Sequence, residues 1–244
     1  VSPASPRTAL VTGASSGLGR HIAQRLLDDG LHVVGSGRSL ERLRWLTAAG
    51  GSPVEADLCD PGAAATLVAA CEGRLDVLVN NAVTHTPDAA VSEVSDETWE
   101  QVLLVDLTAV MRLTRAALQV MGEGSCILNV STRAAQRATP GHAAYSAAKG
   151  GLEALTRSTA IDVAPRQIRC NAIAPGYILH TERDRDRTPD ELVALQRQQL
   201  LPLLTGADVA AVASFLVSDA ARGLTGLVIP VDGGATIARA RVVG

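Results

Sequence analysis

Thr12-Gly13-Ala14-Ser15-Ser16-Gly17-Leu18-Gly19 decides the fold. The apolar run 8–12 leads into it, and the amphipathic stretch 18–29 follows it and stops at Gly30. The order is therefore strand, glycine-rich turn, helix. Gly13 permits a tight turn that a Cβ would obstruct. Gly17 lets the backbone approach a pyrophosphate, and Gly19 lets the helix pack closely on the strand. The helix start offers unpaired N–H groups and the positive end of a dipole, both suited to phosphate. The spacing G-x-x-x-G-x-G departs from the commonest dinucleotide fingerprint, G-x-G-x-x-G. Three glycines alone mark a structural turn as readily as a ligand site. Their place after the first strand favours the ligand.

Outward from this loop the alternation repeats. Segments 31–35, 53–56, 75–80, 126–130, 168–173 and 227–231 read as strands. Segments 40–49, 60–72, 98–120, 143–164 and 207–218 read as helices, two of them long. Strands alternating with helices imply an α/β fold with a parallel sheet and helices on both faces. Right-handed crossovers make that sheet doubly wound. No linker divides the chain, so 1–244 is expected as a single dinucleotide-binding and catalytic domain. The one irregular insert, 176–200, starts at Pro175-Gly176 and carries the charge-dense run 182–187. Ligands in such folds lie beyond the carboxyl ends of the strands. The insert is therefore expected to be a substrate lid, with a solvated loop as the plain alternative.

Composition narrows the class. Hydrophobic residues make up 47% but aromatics only 2%. The core must then be Ala, Val, Leu and Ile, a mixture suited to buried parallel strands under Ala-rich helices. A net charge of −3 argues against a nucleic-acid partner. No apolar run reaches the roughly 18 residues of a membrane span. Residues 1–7 lack the regions of a signal peptide. Cys59, Cys71, Cys126 and Cys170 are scattered and read as reduced core thiols. The five histidines show no ligand spacing, so no catalytic metal is expected. A cytoplasmic location is the default expectation.

The second strand should end beside the adenosine ribose. An acidic residue there suits NAD, and an arginine suits the 2′-phosphate of NADP. The chain reads Gly35-Ser36-Gly37-Arg38-Ser39, with no carboxylate. NADP(H) is therefore expected in preference to NAD(H), with Arg38 as discriminator. Further on, Tyr145-Ser146-Ala147-Ala148-Lys149 opens a helix after Pro140-Gly141. Residues i and i+4 share a helix face. A nearby ammonium should lower the phenol from its ordinary pKa of about 10 and tune Tyr145 for acid–base work. Y-x-x-x-K alone is a common pattern on helix surfaces.

In combination, the glycine loop, Asn80-Asn81-Ala82 after the fourth strand and Y-x-x-x-K resemble the short-chain dehydrogenase/reductase family, ketoreductases included. Asp57, Asn171-Ala172-Ile173-Ala174-Pro175-Gly176 and Val231-Asp232-Gly233-Gly234 extend the likeness over nearly the whole chain. The resemblance implies a Rossmann-type fold and hydride transfer between a nicotinamide and a small-molecule carbonyl or alcohol. It places Asp57 by the adenine and Asn80 and Asn81 near the cofactor. The expected cofactor-binding set is Gly13, Ser15, Ser16, Gly17, Leu18, Gly19, Arg38, Asp57, Leu58, Asn81, Ala82, Tyr145, Lys149, Pro175, Gly176 and Ile178. It also implies a homo-oligomer, a tetramer or a dimer, with the long helices at subunit contacts.

Three positions depart from the family pattern. A serine usually lies where this chain has Thr132, thirteen residues before Tyr145. A threonine hydroxyl has the same donor and acceptor capacity. Thr132 is the expected substrate-oxygen ligand, with Ser131 in reserve. An asparagine that anchors a water near the lysine is replaced by Asp106. Val83 stands in place of a glycine and excludes positive φ. Tyr145, Lys149, Thr132 and Asp106 are the expected catalytic set. The alternative is a catalytically impaired, cofactor-binding sensor on the same fold. Thr84, His85, Arg133, His142, Tyr177 and His180 are candidate pocket residues.

Overall fold

The computed structural model describes residues 6–84, 87–179 and 184–238. The N-terminal half runs β1 (Thr8–Val11), α1 (Gly17–Asp28), β2 (His32–Gly37), α2 (Leu40–Ala48), β3 (Ser52–Glu55), α3 (Ala63–Ala69) and β4 (Val77–Asn80). Then come α4 (Asp96–Leu103), α5 (Ala109–Ala117), β5 (Cys126–Val130), α6 (Ala143–Val163) and β6 (Arg169–Pro175). The chain ends with β7 (Ile178–Leu179), α7 (Pro189–Gln196), β8 (Leu204–Thr205), α8 (Gly206–Val217) and β9 (Val228–Val231).

Seven strands form one parallel sheet in the order β3-β2-β1-β4-β5-β6-β9. Leu10 pairs with Val34 on one side and Leu78 on the other. Alternate residues of a strand face opposite layers, and here both layers are buried. Ala9, Val11, Val77, Val79 and Leu128 pack with Ile22, Leu26, Leu43, Val209 and Leu216 of α1, α2 and α8. Leu10, Val34, Leu78 and Ile127 pack with Leu67, Leu113, Ala160 and Val163 of α3, α5 and α6. The doubly wound Rossmann-type sheet follows. Strand order reverses between β1 and β4, the switch point where such sheets open a ligand crevice.

Two expectations need correction. The single helix expected over 98–120 is two helices, α4 and α5, joined by a π turn at Leu104–Thr108. A π turn accommodates an extra residue, and such turns recur at functional sites. Asp106 lies inside this one. The described part of the insert 176–200 is not irregular: it holds β7 and α7. β7 pairs with β8 through Ile178–Leu204 and Leu179–Thr205. A capping box between Thr188 and Glu191 starts α7. Three of the cysteines are buried, whereas Cys59 is only half-buried beside Gln101. No helix among the described residues is long and apolar enough to cross a membrane.

Candidate active site

Because the strands are parallel, the loops after β1, β2, β3, β4, β5 and β6 gather on one edge. The glycine loop leaves β1 with Gly13 at φ +69° and Gly17 at φ +53°, both in the region glycine favours. A Cβ on Gly19 would lie 2.3 Å from the Gly13 carbonyl oxygen and 2.3 Å from Asn81 Nδ2. Gly19 therefore closes the loop on itself and on Asn81, rather than seating helix on strand as expected. Asn81 Nδ2 donates to the Thr12 carbonyl at 2.8 Å. The Asn81 and Ala82 N–H groups both donate to the Thr12 hydroxyl, at 2.9 and 3.1 Å. The end of β4 is thus bound to the glycine loop at the switch point.

A dinucleotide fits this loop on two counts. Ser16 stands at the N-cap of α1 with no side-chain cap bond, and the first turn carries no acidic residue. The first-turn N–H groups remain open to an anion. Ser15 packs under Gly37, whose missing Cβ keeps the β2 end close. Arg38 follows Gly37 and is exposed. Asp57, after β3, accepts the Cys59 N–H at 2.9 Å, and this bond holds its carboxyl below the usual range, helped by Arg38. Leu58 is half-buried against the α3 layer. Pro175 ends β6, and Gly176 donates to the Val231 carbonyl at 3.0 Å. Ile178 sits half-buried in β7.

Tyr145 and Lys149 sit one turn apart in the first half of α6, facing the end of β5. Lys149 is buried, with Nζ donating to the Val130 carbonyl at 3.0 Å. Asp106 Oδ2 lies 3.9 Å from that ammonium and is fully buried. The Thr84 N–H donates to Asp106 Oδ1 at 2.8 Å. Burial pulls the lysine down and Asp106 pushes it back up. The Lys149 ammonium is 5.8 Å from the Tyr145 ring centre. Tyr145 runs against expectation: burial, and then the charge of Asp106, push it up to about 12. A hydrogen bond from the Thr132 hydroxyl is the opposing effect. Desolvation outweighs that hydrogen bond, so the phenol holds its proton through neutral pH.

Ser131 and Thr132 diverge. The buried Ser131 hydroxyl donates to Glu153 Oε1 at 2.8 Å, on the next turn of α6 beyond Lys149. Thr132 faces Tyr145 and caps the short turn Arg133–Ala135 by accepting the Ala134 N–H at 3.2 Å. Val83 needs no positive φ: among non-glycine described residues only Glu72 and Gln167 have one. His142 Nε2 is 3.0 Å from Asp88 Oδ1, and its ring meets Tyr145 edge-on at 5.9 Å. The Tyr177 hydroxyl donates to Asp184 Oδ1 at 2.5 Å, and Arg187 Nε donates to the same oxygen at 3.0 Å. His85 and His180 lie outside the described residues.

Some of the framework escapes sequence reasoning. Asn80 Nδ2 donates to Asn129 Oδ1 at 2.9 Å and to Thr114 at 3.3 Å, and Asn129 Nδ2 donates to Thr156 at 2.9 Å. This buried ladder ties β4 and β5 to α5 and α6 behind the site. Asn129 and Glu153 carried no local signal, since their partners are distant in sequence. Asn171 joins β6 to the 224–227 turn by accepting the Leu227 N–H and donating to the Leu224 carbonyl.

Sheet order, loop and site together define a nucleotide-dependent oxidoreductase scaffold, and comparison with known proteins agrees. A family model described as enoyl-(acyl carrier protein) reductase matches residues 13–236. An uncharacterized oxidoreductase of Methylorubrum extorquens is 37% identical, over 93% of this chain and 97% of that protein. The 3-oxoacyl-[acyl-carrier-protein] reductase of Salmonella typhimurium is 33% identical, over 93% and 96%. The crystal structure of an angucycline C-6 ketoreductase with bound NADP superposes with a TM-score of 0.86 at 30% identity, covering 95% of this chain and 96% of that one. The chain belongs to the short-chain dehydrogenase/reductase family and is an oxidoreductase of that family.

Proposed function

We propose that this chain reduces a small-molecule carbonyl to an alcohol, or runs the reverse reaction, with NADP(H) as cofactor and Tyr145 as general acid and base. The observation that carries this reading is the convergence of Tyr145, Thr132 and Lys149 at the end of β5, on the same sheet edge as the glycine loop. NADPH held here supplies the hydride. The open N–H groups at Gly17, Leu18 and Gly19, with Ser15 and Ser16, would hold the pyrophosphate. Arg38 would take the 2′-phosphate, with Asp57 and Leu58 at the adenine. Asn81, Ala82, Pro175, Gly176 and Ile178 would line the nicotinamide half.

The Thr132 hydroxyl would hold the carbonyl oxygen against the Tyr145 hydroxyl. A phenol that keeps its proton at neutral pH is suited to give it to that oxygen as negative charge develops there. Lys149, fixed by Val130 and Asp106, would support the phenolate left by the transfer and hydrogen-bond a ribose hydroxyl. The relatives supply the cofactor analogy: the angucycline ketoreductase was solved with NADP bound.

The test is turnover of a panel of aldehydes and ketones with NADPH and with NADH, repeated for Arg38→Asp. NADPH is expected to be the better cofactor by about tenfold or more, and the variant to lose that preference. Equal use of both cofactors overturns the NADP assignment. The rival reading, a cofactor-holding sensor, draws on the departures at Thr132, Asp106 and Val83. A bound-NADPH structure with Tyr145 turned out of the site would favour it.

The segment 176–200 is proposed as a substrate lid hinged on β7 and on the Tyr177–Asp184–Arg187 cluster. Lid action predicts that ligands raise its protease resistance. We further propose a homotetramer, or a dimer, with α4, α5 and α6 at the contacts. Ile161 of α6 is 76% exposed, as such a contact requires. The unpaired thiols suit a reducing compartment, here taken as the cytoplasm.

A further inference from the structure

The turn between Thr132 and α6 opens on a cleft of about 280 Å³. Among the described residues it is lined by Arg133, Arg137 and Arg197, with Thr139 and Gln198, and by no carboxylate. Arg133 directly follows Thr132, and Thr139 and Pro140 lead into the helix of Tyr145. The cleft therefore lies along the same turn as the proposed oxygen-binding hydroxyl. Arg197 comes from α7's C-terminus, in the proposed lid segment.

Among the described residues, Arg133 and Arg197 make no side-chain hydrogen bond to the fold. Among the described residues none of the three forms an ion pair. Arg137 Nη1 donates to the carbonyls of Ala235 and Ala238, at 2.7 and 3.0 Å. Those bonds fix the guanidinium, and among the described residues its Nε and Nη2 donors have no partner. Arg133 lends charge to Asp232, whose carboxylate already accepts the Gly234 and Thr236 N–H groups. Arg197 is exposed, with no side-chain bond among the described residues. Three like charges around one small cavity repel one another, on a chain whose net charge is −3. A bound anion removes that cost, and a guanidinium fork matches carboxylate or phosphate oxygens.

We infer that the substrate carries an anionic group, a carboxylate or phosphate monoester, that docks in this cleft while its carbonyl lies at Thr132 and Tyr145. The inference rests on the carbonyl-reduction reading and adds the chemical class of the substrate. Arg133 and Arg197 set specificity; neither takes part in proton transfer.

The experiment uses the full chain with NADPH and matched pairs of probes. 4-Oxopentanoate, 5-oxohexanoate and 7-oxooctanoate are each compared with their methyl esters, and a keto-phosphate with its neutral alcohol. For the chain length that spans the site, kcat/KM for the anion should exceed that for its neutral partner by about 10- to 100-fold. The difference should appear in KM. Arg197→Gln should bring the ratio near one, and so should Arg133→Gln. Which anion gains more separates carboxylate from phosphate. A ratio near one in the unaltered protein, or one that survives both substitutions, overturns the inference. If no ketone is turned over, calorimetric titration of the same anions decides it. Binding lost in Arg197→Gln then supports the cleft while the reduction reading fails. Binding that is absent, or that Arg197→Gln leaves unchanged, overturns the cleft.

Discussion

Gly19→Ala sets two effects of opposite sign against each other. Gly19 is a helical residue of α1. Replacing a helical glycine by alanine ordinarily gains about 1 kcal/mol through the unfolded chain. Here the new Cβ would stand 2.3 Å from the Gly13 carbonyl oxygen, 2.8 Å from its carbon and 2.3 Å from Asn81 Nδ2. Two of those three atoms are backbone and cannot rotate away. Overpacking of this kind costs roughly 1–3 kcal/mol. Displacing Asn81 also weakens its bond to the Thr12 carbonyl, about 1 kcal/mol more. The steric term wins, for a net loss of about 2 kcal/mol. In a chain of this length that lowers Tm by roughly 4–8 °C. Differential scanning fluorimetry reads the shift, and titration of NADPH should show weakened binding in parallel. A Tm raised by a few degrees would mean that the loop relaxes freely and that Gly19 is not needed for close approach.

Asp106→Asn removes a charge that holds Tyr145 up, so the pH at which the phenol ionises should fall. In the reduction direction, which needs the protonated phenol, the alkaline limb of the pH–rate profile should move to lower pH; an unmoved limb places Asp106 outside the proton-transfer electrostatics. Thr132→Val should lower kcat/KM by about 100-fold or more, measured with the best panel substrate. Ser131→Ala should keep kcat while costing about 1–3 kcal/mol of stability, because the buried Glu153 loses a donor. The reverse pattern in these two variants would exchange the roles of the two hydroxyls.

The sheet was legible because β1, β2, β4 and β5 carry short runs of Val, Leu and Ile, with glycine or asparagine at or just after the ends of β1, β2 and β4, and because longer helical stretches separate them. The glycine loop and the tyrosine–lysine pair are local patterns, visible in a few residues. What could not be read depends on distant contact. The π turn at Leu104–Thr108 inserts one residue into an otherwise helical pattern, and only the packing of Asp106 against Thr84 and Lys149 shows where. The two-residue strand β7 exists by pairing with β8, more than twenty residues on. The raised pKa of Tyr145 is not legible either, because sequence shows the lysine a turn away but not the burial around the phenol. Ser131 and Glu153 meet across 22 positions, so their bond leaves no mark on either neighbourhood.

Tyr145→Phe removes the proposed proton donor and keeps the ring. NADPH affinity and kcat are measured together on the same preparation. The dissociation constant for NADPH should stay within about threefold of the unaltered protein, because the glycine loop and Arg38 are untouched, and kcat should fall by about 100- to 10,000-fold. A phenylalanine variant that retains full turnover would contradict the proton-donor role.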